Sequence, residues 1–410
     1  MADQLVTAET ALWTLLDYCR ANKWAGIEPY DVLNSKLLPA LPIPDSRWPR
    51  LLLTQALKRS PINIRSFLLI PRTQNPKALA LFLAGLLKLS QAGLGDVEDD
   101  IQAVIKRIVA LRSPEKTYWC WGYNFPWQTR YHLVPRWAAN LVCTSFVADA
   151  LLDAYESRGN AQHLEIAESA ANYLLDKLYF NDSKSVGFSY PLPAIRTEVY
   201  NANFLGAALF ARVYRLTGRQ EFLEPALAAT RYSVARQQED GSWFYGIGQH
   251  QRWIDNFHTG FNLLALQTIA HSLCTSEFND NIRRGFAFYR ACFFRDDGAV
   301  RYFHDRTYPI DSHCVAQSIL TLLAFKEDPG ALPLLQSVLD WAMAHLRNEQ
   351  GYFYYRALRS CTIRTSYMRW TQAWMFLALA RLVSEVRDRE PRGATIEAVE
   401  TVGRGTWQRP

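Results

Sequence analysis

Residues 241–248 read GSWFYGIG, and four other segments of the chain repeat this combination of glycine and aromatic residues. They are WCWGYNFPW (119–127), GFSYPLP (187–193), GAVRYFH (298–304) and GYFYYRA (351–357). Each is followed by a polar stretch and then by a helical pattern rich in alanine and leucine. If Thr144, Asn203, His258, His313 and Thr371 are equivalent, the successive steps are 59, 55, 55 and 58 residues. A repeat of this length holds two helices and their connections.

A second helical pattern completes most of these units. Apolar residues at three- and four-residue spacing predict second helices over residues 163–178, 221–237, 278–294 and 332–346. A weaker sixth unit, over residues 78–90 and 97–111, precedes the other five. Small and apolar residues, as in NANFLGAALFARVY (201–214), favour close packing of the first helices around one axis. We therefore predict an all-α fold, an (α/α)6 toroid of six helical hairpins, rather than an open solenoid with polar capping repeats.

The composition and the terminal segments of the sequence predict the domain bounds, the cellular compartment and the class of ligand. We expect one toroid domain over residues 1–386, with an N-terminal helical extension over residues 1–50 and a disordered tail over residues 387–410. The first residues lack a signal-peptide pattern, and no apolar stretch is long enough to span a membrane. Seven widely spaced cysteines without a CxxC pair indicate reduced thiols and a cytoplasmic protein. The net charge of +6 without a basic stripe argues against nucleic-acid binding.

The loops that lead into the inner helices of such a ring lie at one end, so their polar and aromatic residues are expected to converge on a central pocket. Several helix N-termini and arginines in these loops favour an anionic saccharide or sugar phosphate as the ligand. Aromatic rings would stack on the apolar faces of its sugars. The residues expected to bind substrate are Trp127, Gln128, Arg130, Asn201, Asn203, Trp243, Tyr245, Trp253, Arg369, Trp370 and Gln372.

Two successive units place an aspartate and then a histidine at the start of the inner helix, and the candidate catalytic residues are Asp255, His258, Asp311 and His313. Inner helices pack about 8–10 Å apart, so two axis-facing carboxylates would lie in the range used by inverting glycosidases. In this interpretation Asp255 and Asp311 provide acid/base chemistry, and the histidines tune or replace them. Each aspartate also stands where it could cap its helix, and the histidines could be merely hydrogen-bonded.

Two families resemble parts of the sequence. QQEDGSWFYG (237–246) resembles the Gln-x3-Gly-x-Trp element of terpene cyclases and protein prenyltransferases, which share the toroid. Neither their Asp-rich acid motif nor their zinc pattern accompanies it. We therefore expect a structural element in which Gln237 bonds to backbone and Trp243 packs a corner.

From residue 24 to about residue 382 the sequence resembles a bacterial family of toroid proteins from polysaccharide-biosynthesis gene clusters. The matching segments include WAGIEPYDVLNS, GYNFPWQTR, WIDNFHTGFNLLAL and DSHCVAQSI. Some members are labelled delta-aminolevulinic acid dehydratase, but that enzyme is a β/α barrel and this chain lacks alternating strands. A more distant resemblance is to six-hairpin sugar enzymes, namely unsaturated glucuronyl hydrolases and sugar 2-epimerases.

The resemblance implies a carbohydrate-active protein of surface polysaccharide assembly, with other assembly proteins as possible partners. Hydrolase-, lyase- and epimerase-like activities all fit, as does transfer, and the sequence indicates no metal or cofactor. A terpenoid cyclase or prenyltransferase would instead need an Asp-rich or zinc cluster inside an aromatic pocket. A non-catalytic saccharide-binding or scaffold protein would use the same carboxylates as helix caps. The sugar, its linkage, the metal requirement and the oligomeric state stay open.

Overall fold

A computed structural model of the chain describes residues 2–389, with side chains for residues 6–387. Its α-helices are α1 (Ala2–Ala21), α2 (Arg47–Arg59), α3 (Pro76–Gln91), α4 (Glu98–Ala110), α5 (Leu141–Arg158), α6 (Ala161–Tyr173), α7 (Tyr200–Thr217), α8 (Leu223–Val234), α9 (Asn256–Ser272), α10 (Asn279–Cys292), α11 (Ser312–Ala324), α12 (Ala331–His345) and α13 (Ala373–Arg389). One π-helical turn, Leu174–Leu178, extends α6, and another, Met368–Gln372, leads into α13.

The strands are short and lie in the loops. They are β1 (Ala25–Gly26), β2 (Thr73–Gln74), β3 (Trp127–Gln128), β4 (Leu133–Val134), β5 (Tyr179–Asn181), β6 (Val186–Phe188), β7 (Ile310–Asp311), β8 (Arg356–Ala357) and β9 (Thr362–Ile363). The first six form three antiparallel pairs in chain order, and β7, β8 and β9 form a three-stranded antiparallel sheet. These small sheets shape the loops, and the helices form the body of the fold.

Six helices form a closed inner ring. α3, α5, α7, α9, α11 and α13 each pack against the next, and α13 packs against α3. α4, α6, α8, α10 and α12 pack outside the inner helix that precedes each of them, and α1 packs outside α13. This arrangement confirms the predicted all-α (α/α)6 toroid. Part of the expected N-terminal extension thus supplies the outer helix of the sixth hairpin.

The glycines of the repeated loops explain why the loop sequence recurs. Gly241, Gly298 and Gly351 have φ values of 91°, 85° and 88°, in the left-handed region that favours glycine. A Cβ atom at these positions would lie 2.3, 2.1 or 2.7 Å from a backbone oxygen of α10, α12 or α1, respectively. Each loop therefore packs against the backbone of an outer helix, and α1 takes the same place as α10 and α12.

The inner and outer helices differ in how much of their surface is buried. α3 and α11 are buried on nearly every side, as the inner position requires, whereas outer helices such as α4 and α10 bury one face. At the loop end of the ring, Asn75, Asn140, Asp255 and Asp311 cap α3, α5, α9 and α11 through side-chain oxygens. The rim therefore presents several capped helix N-termini to the ring axis.

Two expectations concern the ends of the chain and membranes. α13 continues to Arg389, so residues 387–389 are helical, and the rest of the expected disordered tail lies outside the described residues. Within residues 2–389 none of the helices combines the length and the apolar character that crossing a bilayer requires.

Candidate functional site

A cavity of about 540 Å³ lies at the rim where the inner helices begin. Phenylalanine, tyrosine and tryptophan supply half of its lining residues: Tyr30, Tyr123, Phe125, Trp127, Tyr190, Tyr245, Trp253, Phe257, Phe261, Tyr302, Phe303 and Trp370. Its polar residues are Gln55, Lys77, Gln128, Thr129, Arg130, Asn201, Asp255, His258, His313 and Arg369. Asp255 is the one carboxylate among these lining residues, so basic groups outnumber acidic ones.

Asp255 and His258 form a hydrogen-bonded pair at the start of α9. Asp255 Oδ1 accepts the backbone N–H of His258 at 3.0 Å, which caps the helix. Asp255 Oδ2 lies 2.8 Å from His258 Nδ1. An ionised carboxylate can only accept, so in the neutral form of the imidazole the proton lies on Nδ1 and the lone pair on Nε2. The Asp255 side chain is 1% exposed and the His258 side chain 20%, so the imidazole is the member of the pair that a ligand can reach.

The loop before α9 fixes this pair. The backbone N–H of Tyr245 donates to the carbonyl of Trp253 at 2.9 Å, which brings the two side chains together. Their rings stack with centroids 4.5 Å apart, and the Tyr245 ring also contacts the imidazole of His258 at 4.7 Å. The indole N–H of Trp253 donates to Asp255 Oδ2 at 3.0 Å. The loop thus supplies both a flat wall and a second donor to the carboxylate.

Asp311 has a different environment from Asp255. It is fully buried and does not line the cavity. One carboxylate oxygen accepts the backbone N–H of His313 and the indole N–H of Trp370. The other accepts two bonds from the Arg356 guanidinium, at 3.1 Å from Nε and 2.5 Å from Nη2. The expected pair of axis-facing carboxylates is therefore absent from these two positions, because Asp311 is held by Arg356 in a buried ion pair.

His313 lies in the cavity wall, between aromatic rings. Its ring stacks on Phe257 and Trp374, with centroids 4.5 and 4.6 Å away, and meets the edge of Trp370 at 4.9 Å. Burial lowers the pKa of His313 well below its ordinary value, and the charges of Lys77 and Arg369 lower it further. His313 is therefore a neutral imidazole.

The structure brings most of the remaining predicted residues to the cavity: Trp127, Gln128, Arg130, Asn201, Tyr245, Trp253, Arg369 and Trp370 line it. The amide oxygen of Gln128 accepts a bond from Arg50 Nε at 2.8 Å, which ties α2 to the cavity rim. Arg130 is exposed on the β3–β4 hairpin.

Asn203, Trp243 and Gln372 do not line the cavity, contrary to the expectation that they bind substrate. Their side chains instead bond to nearby backbone. Asn203 accepts from the N–H of Phe188 at 3.1 Å, and Gln372 from that of Phe353 at 2.9 Å. The Trp243 indole donates to a carbonyl of α8 at 3.1 Å. Trp243 thus packs a corner, as the structural interpretation of its sequence element predicts.

Two charged residues that the sequence analysis did not select, Lys77 and Glu28, lie at or beside the cavity. Lys77 is the second residue of α3 and is 4% exposed, and burial lowers its pKa to about 7. Glu28, in the loop after α1, pairs with Arg369 at 2.9 Å. Burial raises the pKa of Glu28 to about 7, against the opposing effect of Arg369. Lys77 was predictable from the sequence, because Pro76 and Lys77 open the inner helix of the weak sixth repeat and therefore lie on the same rim.

Several buried polar atoms of the cavity wall have no hydrogen-bond partner among the described residues. They are Trp127 Nε1, Asn201 Oδ1, Arg369 Nε and both ring nitrogens of His313. A buried polar group without a partner costs about 1–3 kcal/mol, and such groups call for an explanation in a native fold. The residues that carry these atoms line one cavity, and the atoms include both donors and acceptors, so they are candidates for contacts with a ligand rich in hydroxyl groups.

Comparison with known proteins shows what the fold resembles. No family model matches the sequence, and no curated protein matches it significantly. A glycoside hydrolase family 76 mannosidase from Bacteroides thetaiotaomicron VPI-5482 has a TM-score of 0.62 at 13% identity, over 94% of this chain and 99% of that one. Cellobiose 2-epimerase from Bacillus thermoamylovorans B4167 has a TM-score of 0.60 at 10% identity, over 77% and 88%.

An unsaturated glucuronyl hydrolase variant with the oligosaccharide dGlcA-Glc-Rha-Glc has a TM-score of 0.59 at 14% identity, over 93% of this chain and 97% of that one. The chain has the six-hairpin toroid fold. At these identities the likeness concerns the fold.

Proposed function

We propose that this protein is a carbohydrate-active enzyme that binds an anionic saccharide in the rim cavity and transfers protons through His258. The observation that carries the proposal is the Asp255–His258 pair, with Nδ1 held at 2.8 Å and the imidazole partly exposed. The aromatic wall, the unpartnered polar atoms and the excess of basic groups support a sugar with a negative charge. Sugar enzymes with the same fold support it further.

A single imidazole favours one kind of chemistry. Inverting and retaining hydrolysis each use two carboxyl groups, and the cavity wall offers one, which is buried behind His258. His258 Nε2 can instead take the proton from a carbon of the sugar while Asp255 stabilises the resulting imidazolium. The imidazolium can then protonate the leaving oxygen in an elimination, or the opposite face of the same carbon, after the intermediate turns, in an epimerisation. Epimerisation or elimination at a carbon beside a carbonyl or carboxylate group needs this step. We therefore favour these reactions over hydrolysis.

The test uses acidic oligosaccharides in deuterated water, with NMR detection of deuterium incorporation and of new products. Wild-type protein is expected to exchange or convert at least one of them, and His258→Gln to lose about 10²–10⁴-fold of that rate. His271→Gln, an exposed substitution in the last turn of the same helix, is the control and should retain wild-type activity. Equal rates in wild type and His258→Gln would refute the role of His258.

A non-catalytic saccharide-binding protein is the second candidate, because Asp255 already serves as a helix cap. Binding of an acidic oligosaccharide by wild type without exchange or turnover would favour it. The cytoplasmic setting, the role in surface polysaccharide assembly and the assembly partners are also proposals. They rest on the cysteine pattern and on the resemblance of the sequence to proteins of such gene clusters.

A further inference from the structure

The axis of the ring is closed below the rim cavity by aromatic rings. Phe146, Phe261 and Trp374 line a smaller cavity of about 150 Å³, and Phe261 borders both cavities. Lys77 borders the rim cavity alone, and its Nζ lies 4.0 Å from the Phe146 ring centroid, 5.3 Å from Trp374 and 5.5 Å from Phe261. We call the part of the wall formed by Lys77, Phe261 and His313 the cavity floor.

The amine of Lys77 has no carboxylate partner. Within residues 6–387 it forms no ion pair, although ammonium groups are rarely buried unless paired. The charged or titratable groups that act on it are Arg369, Cys143, Glu28 and His313. The aromatic faces beneath it attract a cation, but they do not replace the lost hydration, and burial lowers its pKa to about 7.

Arg369 stands beside the floor and has a buried donor without a partner among the described residues. Its Nη2 pairs with Glu28 Oε2 at 2.9 Å, whereas its buried Nε has no partner among the described residues. Arg369 is near enough to Lys77 for its charge to lower the pKa of the amine further. When Glu28 is ionised it balances the charge of Arg369, and protonated Lys77 then leaves the pair of basic groups with one net positive charge.

We infer that Lys77 and Arg369 Nε form a subsite for one carboxylate group of the saccharide, as in a uronic acid. This inference rests on the proposed function and specifies which group of the sugar lies at the cavity floor. Two neighbouring donors and one net charge match the two oxygens and the single charge of a carboxylate. A phosphate has more oxygens and more charge than these two groups satisfy. The carboxylate would also offset the repulsion between Lys77 and Arg369.

The subsite predicts a particular pH dependence. Lys77 must be protonated to bind the anion, and ionisation of Glu28, whose pKa is also about 7, weakens anion binding over the same range. Affinity is therefore constant well below pH 7 and falls as the pH rises above it. The loss of the Lys77 proton alone would weaken the affinity for an anion by about 30-fold between pH 6 and pH 8.5. Binding above pH 7 would also take up a proton, and a neutral sugar would show neither effect.

The experiment is calorimetric titration of D-glucuronate and D-glucose at pH 6 and pH 8.5. Wild type should prefer glucuronate and show the pH effect, and Lys77→Met should lose at least about tenfold of that preference. Lys77→Arg, which stays charged, should bind glucuronate with a smaller pH effect, because Glu28 still titrates. Lys88→Met, on the same helix, is the matched control. An unchanged preference in Lys77→Met, or a pH effect in Lys77→Arg as large as that of wild type, would overturn the subsite.

Acetate and acetamide separate this inference from the proposed function. The two have similar shapes and differ in charge, so acetate should raise the melting temperature of wild type at pH 6, and acetamide should not. The effect should vanish in Lys77→Met.

If acetate acts through Lys77 and no saccharide binds, the subsite stands and the proposed function fails. If neither acetate nor glucuronate distinguishes wild type from Lys77→Met, the subsite is overturned. Stronger binding of glucose 6-phosphate than of glucuronate through Lys77 would overturn the assignment to a carboxylate.

Discussion

Asp255 precedes α9 and Asp311 precedes α11, and each caps its helix by accepting a backbone N–H through one carboxylate oxygen. The second oxygen has a different partner in each case. That of Asp255 accepts from His258 and Trp253, and that of Asp311 accepts from Arg356. Two neighbouring repeats with the same residue types thus place a partly exposed imidazole at one position and a buried ion pair at the other.

The spacing between aspartate and histidine explains the difference. Each residue of an α-helix turns the side chain by about 100°, so residues three apart share a face and residues two apart do not. His258, three residues after its aspartate, therefore points back to it. His313, two residues after Asp311, points away and stacks between Phe257 and Trp374. A difference of one residue in spacing therefore decides whether the carboxylate orients an imidazole or pairs with a cation from another segment.

The largest expected effect is on stability at the start of α11. Asp311→Asn would leave the buried Arg356 guanidinium without its counter-charge, which should cost about 3–5 kcal/mol of unfolding free energy. Urea unfolding measures this loss. Asp280→Asn removes an exposed ion pair with Arg283 and should cost no more than about 1 kcal/mol. Similar small losses for both variants would show that the ion pair of Asp311 is not a structural one.

The next effect is on activity at the start of α9. Asp255→Asn can still cap the helix, so its unfolding free energy should change by no more than about 1 kcal/mol. The asparagine cannot stabilise an imidazolium, and turnover of the acidic oligosaccharide that wild type converts should fall by about 10²-fold or more. Steady-state rates on that saccharide check this. An Asp255→Asn variant that is as active as wild type would mean that His258 works without its carboxylate.

A smaller effect is expected on the pH dependence of stability, through His313. Burial holds the pKa of His313 below its ordinary value, so the unfolded state binds a proton below about pH 6.5 that the folded state does not bind. His313 therefore makes the protein less stable as the pH falls, by up to about 1.4 kcal/mol per pH unit. His313→Phe should retain the stacking and reduce this slope, measured by urea unfolding at pH 7.5 and 5.5. An unchanged slope would indicate a titrating, solvated imidazole.

The ring could be predicted from the sequence because its signals are local and repeated. The glycines of the loops, the apolar spacing and the helix lengths recur five times, and each repeat occupies an equivalent place. The packing of α1 outside α13, which completes the outer layer, was not predicted, because α1 and α13 lie at opposite ends of the chain. Their contact leaves no local pattern in either helix.

The candidate site could be predicted only in part. Position at the start of an inner helix correctly brought Asn201, His258 and Arg369 to one cavity. The same position does not determine which side chains point to the axis and which form hydrogen bonds with their own loop. Asn201 and Asn203 are two residues apart, and only the first reaches the cavity. Arg356, which holds Asp311, comes from a strand pairing that helical periodicity does not reveal.

The tautomer of His258 tests the comparison between α9 and α11 most directly, and it needs no substrate. Long-range 1H–15N correlation spectra, assigned with His258→Gln, report which ring nitrogen carries the proton. In wild type we expect the proton on Nδ1, bonded to Asp255, and the lone pair on Nε2. In Asp255→Asn the amide can donate to Nδ1, and the proton should move to Nε2. A proton on Nε2 of His258 in wild type, or the same tautomer in both proteins, would contradict the claim that Asp255 orients His258 for proton transfer.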